Sequence, residues 1–437
     1  MRRLTRILAV GMLCTFPLAA YAQTDSLRAS WTLSDCIRYA LENNIQLRQS
    51  HNNYLSTQED LLEARAARFP TVSASSSQGM TYTPATGKAP VYNGSYNIGA
   101  SMTLYSGGRL RNAVRQKELS VEADSLSLLQ AEDEMRISII QSFIQCLYAT
   151  DNVEVARSTV TASQTQRDRA EELFKAGTIS KVDLAQLESQ LSSDKYKFIT
   201  ARTSLDNYRL QLRQLLELEM GEEMVLDGAG LGDEDVLQRL PPREEVYAAA
   251  LDYLPDMRIS DLNIRMAELS EKTAKAGYIP SISASVGLGT GTRTGTEVGF
   301  GDQFWNNFNQ NAGLSLQIPI YSTRKNKTAV NKARLALENS KLSALNTQKQ
   351  ILREVESTWL DAVSAQAQYM SAVEKTGYSR QSYELTLEQF NVGMKNTVEL
   401  ITAQNEYTAA RQSELQAKYV ALMSRMILDV YQGKFQL

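Results

Sequence analysis

Two carboxylates stand at matched places in this chain. Asp183 follows Gly177 by six residues, and Glu399 follows Gly393 by the same six. Ser180-Lys181-Val182-Asp183 and Asn396-Thr397-Val398-Glu399 both have capping-box spacing. In such a box a polar side chain accepts from the backbone three residues on, and the acid there reaches back. The chemistry on offer is acceptance of backbone N–H groups and compensation of a helix dipole. Little else invites chemistry. His51 is the single histidine, with no second ligand near it, and a zinc site needs several. Gly287-Leu288-Gly289-Thr290-Gly291 lacks both a following helix and the Gly-Lys-Ser/Thr of a phosphate loop. There is no H-E-x-x-H, no G-x-S-x-G and no Cys/His pairing. Tyr and Glu are spread over helix faces rather than converging. No catalytic residue, metal or cofactor is expected, and a net charge of −3 gives no basic footprint for nucleic acid.

The two glycines belong to a long duplication. Phe174-Lys175-Ala176-Gly177 is answered by Phe390-Asn391-Val392-Gly393, 216 residues later. Ala40 to Ile45 matches Ala250 to Pro255, and Phe69 to Ser75 matches Ile279 to Ser285, both at an offset of 210. Tyr105-Ser106 matches Tyr321-Ser322 at 216, so six extra residues lie between Pro280 and Tyr321. A repeat this long is one large supersecondary unit built twice. The organisation expected is a signal peptide at 1–22, a first repeat at 23–218, a Gly- and acid-rich linker at 219–243, a second repeat at 244–433 and a tail at 434–437.

Arg2, Arg3 and Arg6 precede an apolar run from Ile7 to Leu18, and Ala20-Tyr21-Ala22 reads as a cleavage site. The chain is expected to be exported. Cys14 would leave with the signal, and no acyl anchor is expected. Cys36 and Cys146 lie inside helical patterns and are expected as buried thiols. After the signal, no apolar stretch approaches the roughly 20 residues of a membrane helix. Any crossing of a membrane must use a closed barrel.

Helices and strands then alternate. From Leu184, steps of three and four give Leu187, Leu191, Asp194, Phe198, Ala201, Leu205, Tyr208, Leu212 and Leu215, a heptad seam with one polar member. The second seam, Leu400 to Tyr431, is richer in alanine and is expected to be the looser pair. Gly108 is followed by no Pro or Gly until beyond Glu172. A helix of about 65 residues would be a strut roughly 100 Å long. Leu345 to Tyr383 is read as its counterpart, with Trp359 and Val363 facing inward. Between helices the period changes to two: Thr71 to Tyr82, Tyr96 to Leu104, Ile282 to Leu288 and Ala312 to Ile320. These form two hairpins, 71–105 and 281–321, of strands about ten residues long, the length of a tilted membrane strand. Pro70 and Pro280 stand where helix hands over to strand. Phe304, Trp305 and Phe308 fit either a membrane-surface girdle or loop self-packing. Four strands cannot close a barrel, so their edges must be met by other chains.

Two copies of helix, strand, strand, long helix and returning helix resemble the TolC family of outer-membrane efflux proteins. Trp31-Thr32-Leu33, Ala40-Leu41-Glu42-Asn43-Asn44, the proline-led strands and both F-x-x-G turns carry the likeness over nearly the whole mature chain. The resemblance implies a mainly α fold with a membrane β-barrel. Long antiparallel coiled-coil helices would form a periplasmic tube, and four strands per chain would contribute to a trimeric twelve-stranded barrel in the outer membrane. It implies an exit duct for a tripartite efflux pump or a type I secretion system. Its partners would be two further copies, outer-membrane lipid, a periplasmic adaptor (membrane fusion) protein and an inner-membrane transporter of RND, ABC or MFS type. The turns at 174–180 and 390–396 would be the periplasmic tips. Gly177, Thr178, Ile179, Gly393, Met394 and Lys395 would meet the adaptor, while Asp183, Glu399 and Lys395 would form the gate. Capping and gating remain two readings of the same carboxylates. Lys395 is expected to pair with Asp183 across the neighbouring hairpin. Gln186 and Thr402, one turn on, are uncharged, so a second acidic ring is not expected. An adaptor would need a single hairpin and compact β-domains. A trimeric coiled-coil scaffold without a lumen is the alternative.

Overall fold

The computed structural model describes residues 30–83, 89–219, 224–228 and 232–435. The expected signal peptide and Cys14 lie outside them, as do the apex of the first hairpin loop, parts of the linker around Gly221 and the last two residues of the tail.

Each repeat begins with a broken helix. In the first, α1 (Leu33–Asn43) and α2 (Ile45–Ala66) meet at Asn44. In the second, α6 (Arg243–Tyr253) and α7 (Pro255–Lys275) meet at Leu254. Both junction residues are extended, with ψ near 132°. The causes differ. Buried Asn44 accepts from the N–H groups of Gln46 (2.8 Å) and Leu47 (3.3 Å) and donates to the Leu215 carbonyl at 3.0 Å. The second repeat places Pro255 at the first helical position, where its missing N–H costs nothing.

Pro70 and Pro280 each precede a strand, as expected. The strands β1 (Thr71–Thr81), β2 (Val91–Ser106), β3 (Ser281–Arg293) and β4 (Asn309–Gln317) form one antiparallel sheet in the order β1-β2-β3-β4. Register puts Val72, Ala100, Val286 and Ala312 in one cross-strand row and Ile98 beside Leu288. The opposite face carries Ser73, Gly99, Gly287 and Asn311 in a row, and Asn97, Gly289 and Asn309 in the next. One face is therefore apolar and exposed, the other small and polar. β4 stops at Gln317 rather than continuing to Ile320. Pro319 lacks an N–H for the ladder. The longer loop of the second hairpin houses α8 (Phe300–Asn306), a short helix within what reads from sequence as plain loop.

Two struts leave the sheet. α3 (Arg109–Lys175) and α9 (Lys325–Asn391) are each 67 residues long, or about 100 Å. α4 (Lys181–Leu215) and α10 (Thr397–Tyr431) return along them. The second strut is longer than Leu345–Tyr383 and runs through Gly377. Its Trp359 packs inward and donates to the Pro241 carbonyl at 2.9 Å, whereas Val363 is exposed, contrary to expectation. The seams hold: Leu187, Leu191, Leu205 and Leu212 are buried on α4, and Leu400, Ala410, Ala421 and Leu428 on α10. The principal core lies midway along the struts and contains Ile37, Ile140, Phe143, Leu212 and Leu422. Cys36 and Cys146 lie there as buried thiols, and burial pushes Cys146 up to about 12. Trp31 pairs with the linker: its N–H reaches the Val225 carbonyl at 2.8 Å, and the Asp227 N–H reaches its carbonyl at 2.9 Å. The short helix α5 (Asp233–Val236) adds Val236 to this core.

The turn from strand to strut needs left-handed backbone in both repeats. Gly107 and Gly108 supply it at φ 63° and 85°, but their counterparts are Thr323 and Arg324 at φ 42° and 69°. An L-residue there costs roughly 1–2 kcal/mol. Arg324→Gly is therefore expected to stabilise the chain by about 0.5–1 kcal/mol after the entropy of the added glycine. Gly107→Ala is expected to destabilise it, because the new Cβ would lie 2.9 Å from that of Ile279. Thermal unfolding followed by circular dichroism in detergent checks both signs.

Candidate functional site at the helical tips

The far ends of the struts are two tight turns of the same design. Gly177 has φ 74° and Gly393 φ 78°. In the first turn the Gly177 N–H reaches the Phe174 carbonyl (2.9 Å) and the Thr178 N–H the Leu173 carbonyl (2.9 Å). Gly393 and Met394 repeat this with Phe390 (3.0 Å) and Gln389 (2.8 Å). These are Schellman closures, which only a residue at ease with φ > 0 completes without strain. A Cβ at either glycine would meet nothing within 4 Å, so backbone conformation alone selects glycine.

Both capping boxes form. Ser180 Oγ accepts from the Asp183 N–H at 3.2 Å, and Asp183 Oδ2 accepts from the Ser180 N–H at 3.2 Å and hydroxyl at 2.6 Å. Asn396 Oδ1 accepts from the Glu399 N–H at 2.9 Å, and Glu399 Oε2 accepts from the Asn396 N–H at 3.1 Å. The Ser180 and Thr397 hydroxyls hold the Asp183 carboxyl below the usual range. The Lys395 ammonium, then the Asn396 N–H, does the same for Glu399.

The expected pairing of Lys395 with Asp183 does not form within the chain. Lys395 Nζ lies 2.5 Å from Glu399 Oε1 on its own turn, an i,i+4 pair. Asp183 is joined to the other hairpin by the buried Thr397, whose hydroxyl donates to Oδ1 at 2.9 Å. The physical reason is reach. Thr397 is the first residue of α10 and faces the seam, while Lys395 precedes the cap and follows its own helix. Beneath this bond Ala170, Leu187, Phe390 and Leu400 form a small apolar core, flanked by Ile179 and Leu184. The tips are thus one packed unit. Thr178, Val182, Val392, Met394 and Val398 remain exposed around it.

A second polar layer lies one step up, and sequence marked only one member. Asp194, the polar exception in the first seam, is 1 % exposed. It accepts from Ser163 Oγ (2.6 Å), Gln190 Nε2 (3.0 Å) and Lys197 Nζ (3.2 Å). Ser163 in turn accepts from Gln404 Nε2 at 2.7 Å, so α3, α4 and α10 share one chain of hydrogen bonds. Nearby, Gln166 donates to Tyr383 Oη at 2.8 Å, and Tyr383 stacks on Tyr407 at 5.8 Å. Burial raises the Tyr383 phenol. The arrangement can grip helices and present carboxylates. No nucleophile, base and oxyanion donor converge there.

Residues 36–217 and 246–433 match the family signature described as outer membrane efflux protein. The outer membrane efflux protein BepC of Brucella suis is 20% identical over 413 residues, spanning 94% of this chain and 87% of BepC. The outer membrane protein TolC of Escherichia coli is 22% identical over 421 residues, spanning 92% of this chain and 82% of TolC. A crystal structure of CusC superposes with a TM-score of 0.78 at 18% identity, covering 93% of both chains.

Asp183→Ala is expected to cost the tip about 1 kcal/mol, the ordinary worth of a cap. Its pH dependence has a fixed sign. A carboxyl with a depressed folded pKa stabilises above its unfolded value and loses that contribution as pH falls through the folded one. Amide protection at residues 178–186, taken relative to the intrinsic exchange rate at each pH, should therefore be flat between about pH 5 and 8 and fall below about pH 4. Asp194→Ala strands the buried Ser163 hydroxyl and breaks the chain of hydrogen bonds between helices. It is expected to cost about 1–3 kcal/mol, read as a lower midpoint in denaturant.

Proposed function

Because the chain belongs to the outer membrane efflux protein family, we propose that it is the outer-membrane exit duct of a tripartite efflux pump or type I secretion system. It sits in the outer membrane, with its helical tube in the periplasm, and passes cargo outward from an inner-membrane transporter and a periplasmic adaptor. Members of this family are transport channels, and no catalytic role is assigned to any residue here.

One observation carries the reading. The four-stranded sheet exposes an apolar face, with Val72, Met80, Val286 and Leu314 each more than half exposed, and β1 and β4 each pair on one side only. In hydrocarbon, unpaired backbone groups are not tolerated. Three copies joined edge to edge supply twelve strands, and closed bacterial barrels begin at about eight. The polar Ser, Gly and Asn rows then line the lumen, and Val72, Ile98, Val286 and Leu314 face lipid. No helix among the described residues is long and apolar enough to cross a membrane. The partner set proposed is a homotrimer, an adaptor of the membrane fusion type and a transporter of RND, ABC or MFS type.

Within this reading the tips are the periplasmic gate. Asp183 and Glu399 cap their helices and, repeated around a threefold axis, also present negative charge to the pore. Lys395 offsets one charge of the ring by its bond to Glu399. Thr178, Ile179, Met394 and the backbone at Gly177 and Gly393 are the surface offered to the adaptor. Purified protein in planar bilayers is expected to give discrete conductance steps. Lys395→Ala, which bares Glu399, is expected to increase cation preference, and Asp183→Ala to reduce it. Conductance and selectivity equal to the parent in both variants would remove these residues from the gate. Intact trimers that never conduct would favour the scaffold. Cross-linking from cysteines at Thr178 and Met394 should capture the adaptor.

A further inference from the structure

The structure carries a roofed groove on the apolar face of the sheet, at the end far from the struts. We propose that it holds one acyl chain of an outer-leaflet membrane lipid, an inference that rests on the membrane-spanning reading of the sheet. The floor is formed by Tyr96, Ile98 and Leu288, and the roof by Phe304, Trp305 and Phe308. The cavity measures about 490 Å³, within the roughly 300–1,000 Å³ of small-ligand sites. None of its lining side chains is charged.

The roof is built rather than draped. Thr290 Oγ1 donates to the Phe304 carbonyl at 2.6 Å, which removes that hydroxyl from the wall. Phe304 lies 6.0 Å from Tyr96 and 6.0 Å from Trp305, ring centre to ring centre. Behind it, buried Gln303 fixes the loop. It accepts from the Arg293 N–H at 2.7 Å and donates to the Arg293 carbonyl (3.0 Å) and the Val298 carbonyl (2.7 Å). Asn307 Nδ2 ties α8 to the Gly291 carbonyl at 2.6 Å. The site is therefore formed before any ligand arrives.

Its occupant follows from continuity. Ile98 and Leu288 belong both to the groove floor and to the band that faces lipid, so the groove opens directly into hydrocarbon. The struts leave from the opposite end of the sheet, which puts α8 at the outer leaflet. Trp305 remains 75% exposed, at the depth where an indole is at home between chain and headgroup. Transported cargo would run along the other face, behind the sheet.

Trp31→Phe with Trp359→Phe leaves Trp305 as the single tryptophan of the full chain. The probe is phosphatidylcholine brominated on one acyl chain, which quenches indole on contact. In such vesicles Trp305 emission is expected to be lost, and to return slowly when the protein is exchanged into unbrominated lipid. A tryptophan placed by Val286→Trp in a background with Trp305→Phe reports ordinary band lipid and should recover at once. Ala74→Phe, which fills the groove, and Phe304→Ala, which removes its roof, should each bring Trp305 to the fast rate while trimers persist. Equal recovery rates in the unfilled protein, or a slow phase unchanged in both variants, overturns the groove. Quenching at Val286→Trp but not at Trp305 sinks the groove alone. Quenching at neither sinks the membrane-spanning reading and the groove with it.

Discussion

Everything in this molecule depends on backbone groups that have no partner within the chain. β1 and β4 each offer one unpaired edge. In water such an edge invites any passing strand, and in hydrocarbon it is forbidden. Pairing β4 of one copy with β1 of the next is the closure proposed for a chain with four strands. In the proposed trimer, closure would fix a common axis, and that axis would set where the struts descend. The 67-residue helices, the returning helices and the tips would then be arranged around a shared centre.

The duplication reuses a shape, not a sequence. Away from the tips, where Gly177 and Gly393 agree, the two repeats answer demanding backbone geometry with different residues. Asn44 breaks the first helix by hydrogen bonding, while Pro255 marks the second by its ring. Gly107 and Gly108 turn into one strut, and Thr323 and Arg324 into the other. At the far end of the returning helices the roles reverse: Glu217 holds φ 55° where Gly433 holds 65°. Gly433 cannot change, since a Cβ would lie 2.5 Å from the Tyr253 ring. Strain is thus distributed unevenly. The first repeat is relaxed at the membrane end, the second at the base of its returning helix.

Sequence made the periodic parts legible. Leu187 to Leu212 announced a buried seam because only packing needs that spacing, and Ser180 and Asn396 announced caps because the acid follows at N3. What sequence hid was partnership across distance. Asp194 stood out as a polar seam residue, but Ser163 and Gln404 look like surface residues until three helices converge. Lys395 and Asp183 have complementary charge, yet Thr397 wins the contact by standing nearer the seam. Left-handed backbone at Thr323 and Arg324 carries no glycine to betray it. β4 lies three residues earlier at both ends than the Ala312–Ile320 alternation, which persists through Pro319 while the hydrogen bonding does not.

The sheet has one further consequence, for the order of assembly. Its central ladder joins β2 to β3, pairing Ser106 with Ser281 and Asn93 with Arg293. The first hairpin can form locally, but its inner edge waits for a strand that lies beyond α3, α4, the linker, α6 and α7. Closing so long a loop is slow, and contacts of this separation govern folding rate. The helical hairpins, whose contacts are local along each turn, have no such wait. A newly exported chain can therefore pair α3 with α4 and α9 with α10 before β2 meets β3, which leaves the adhesive edges of the sheet to be covered late.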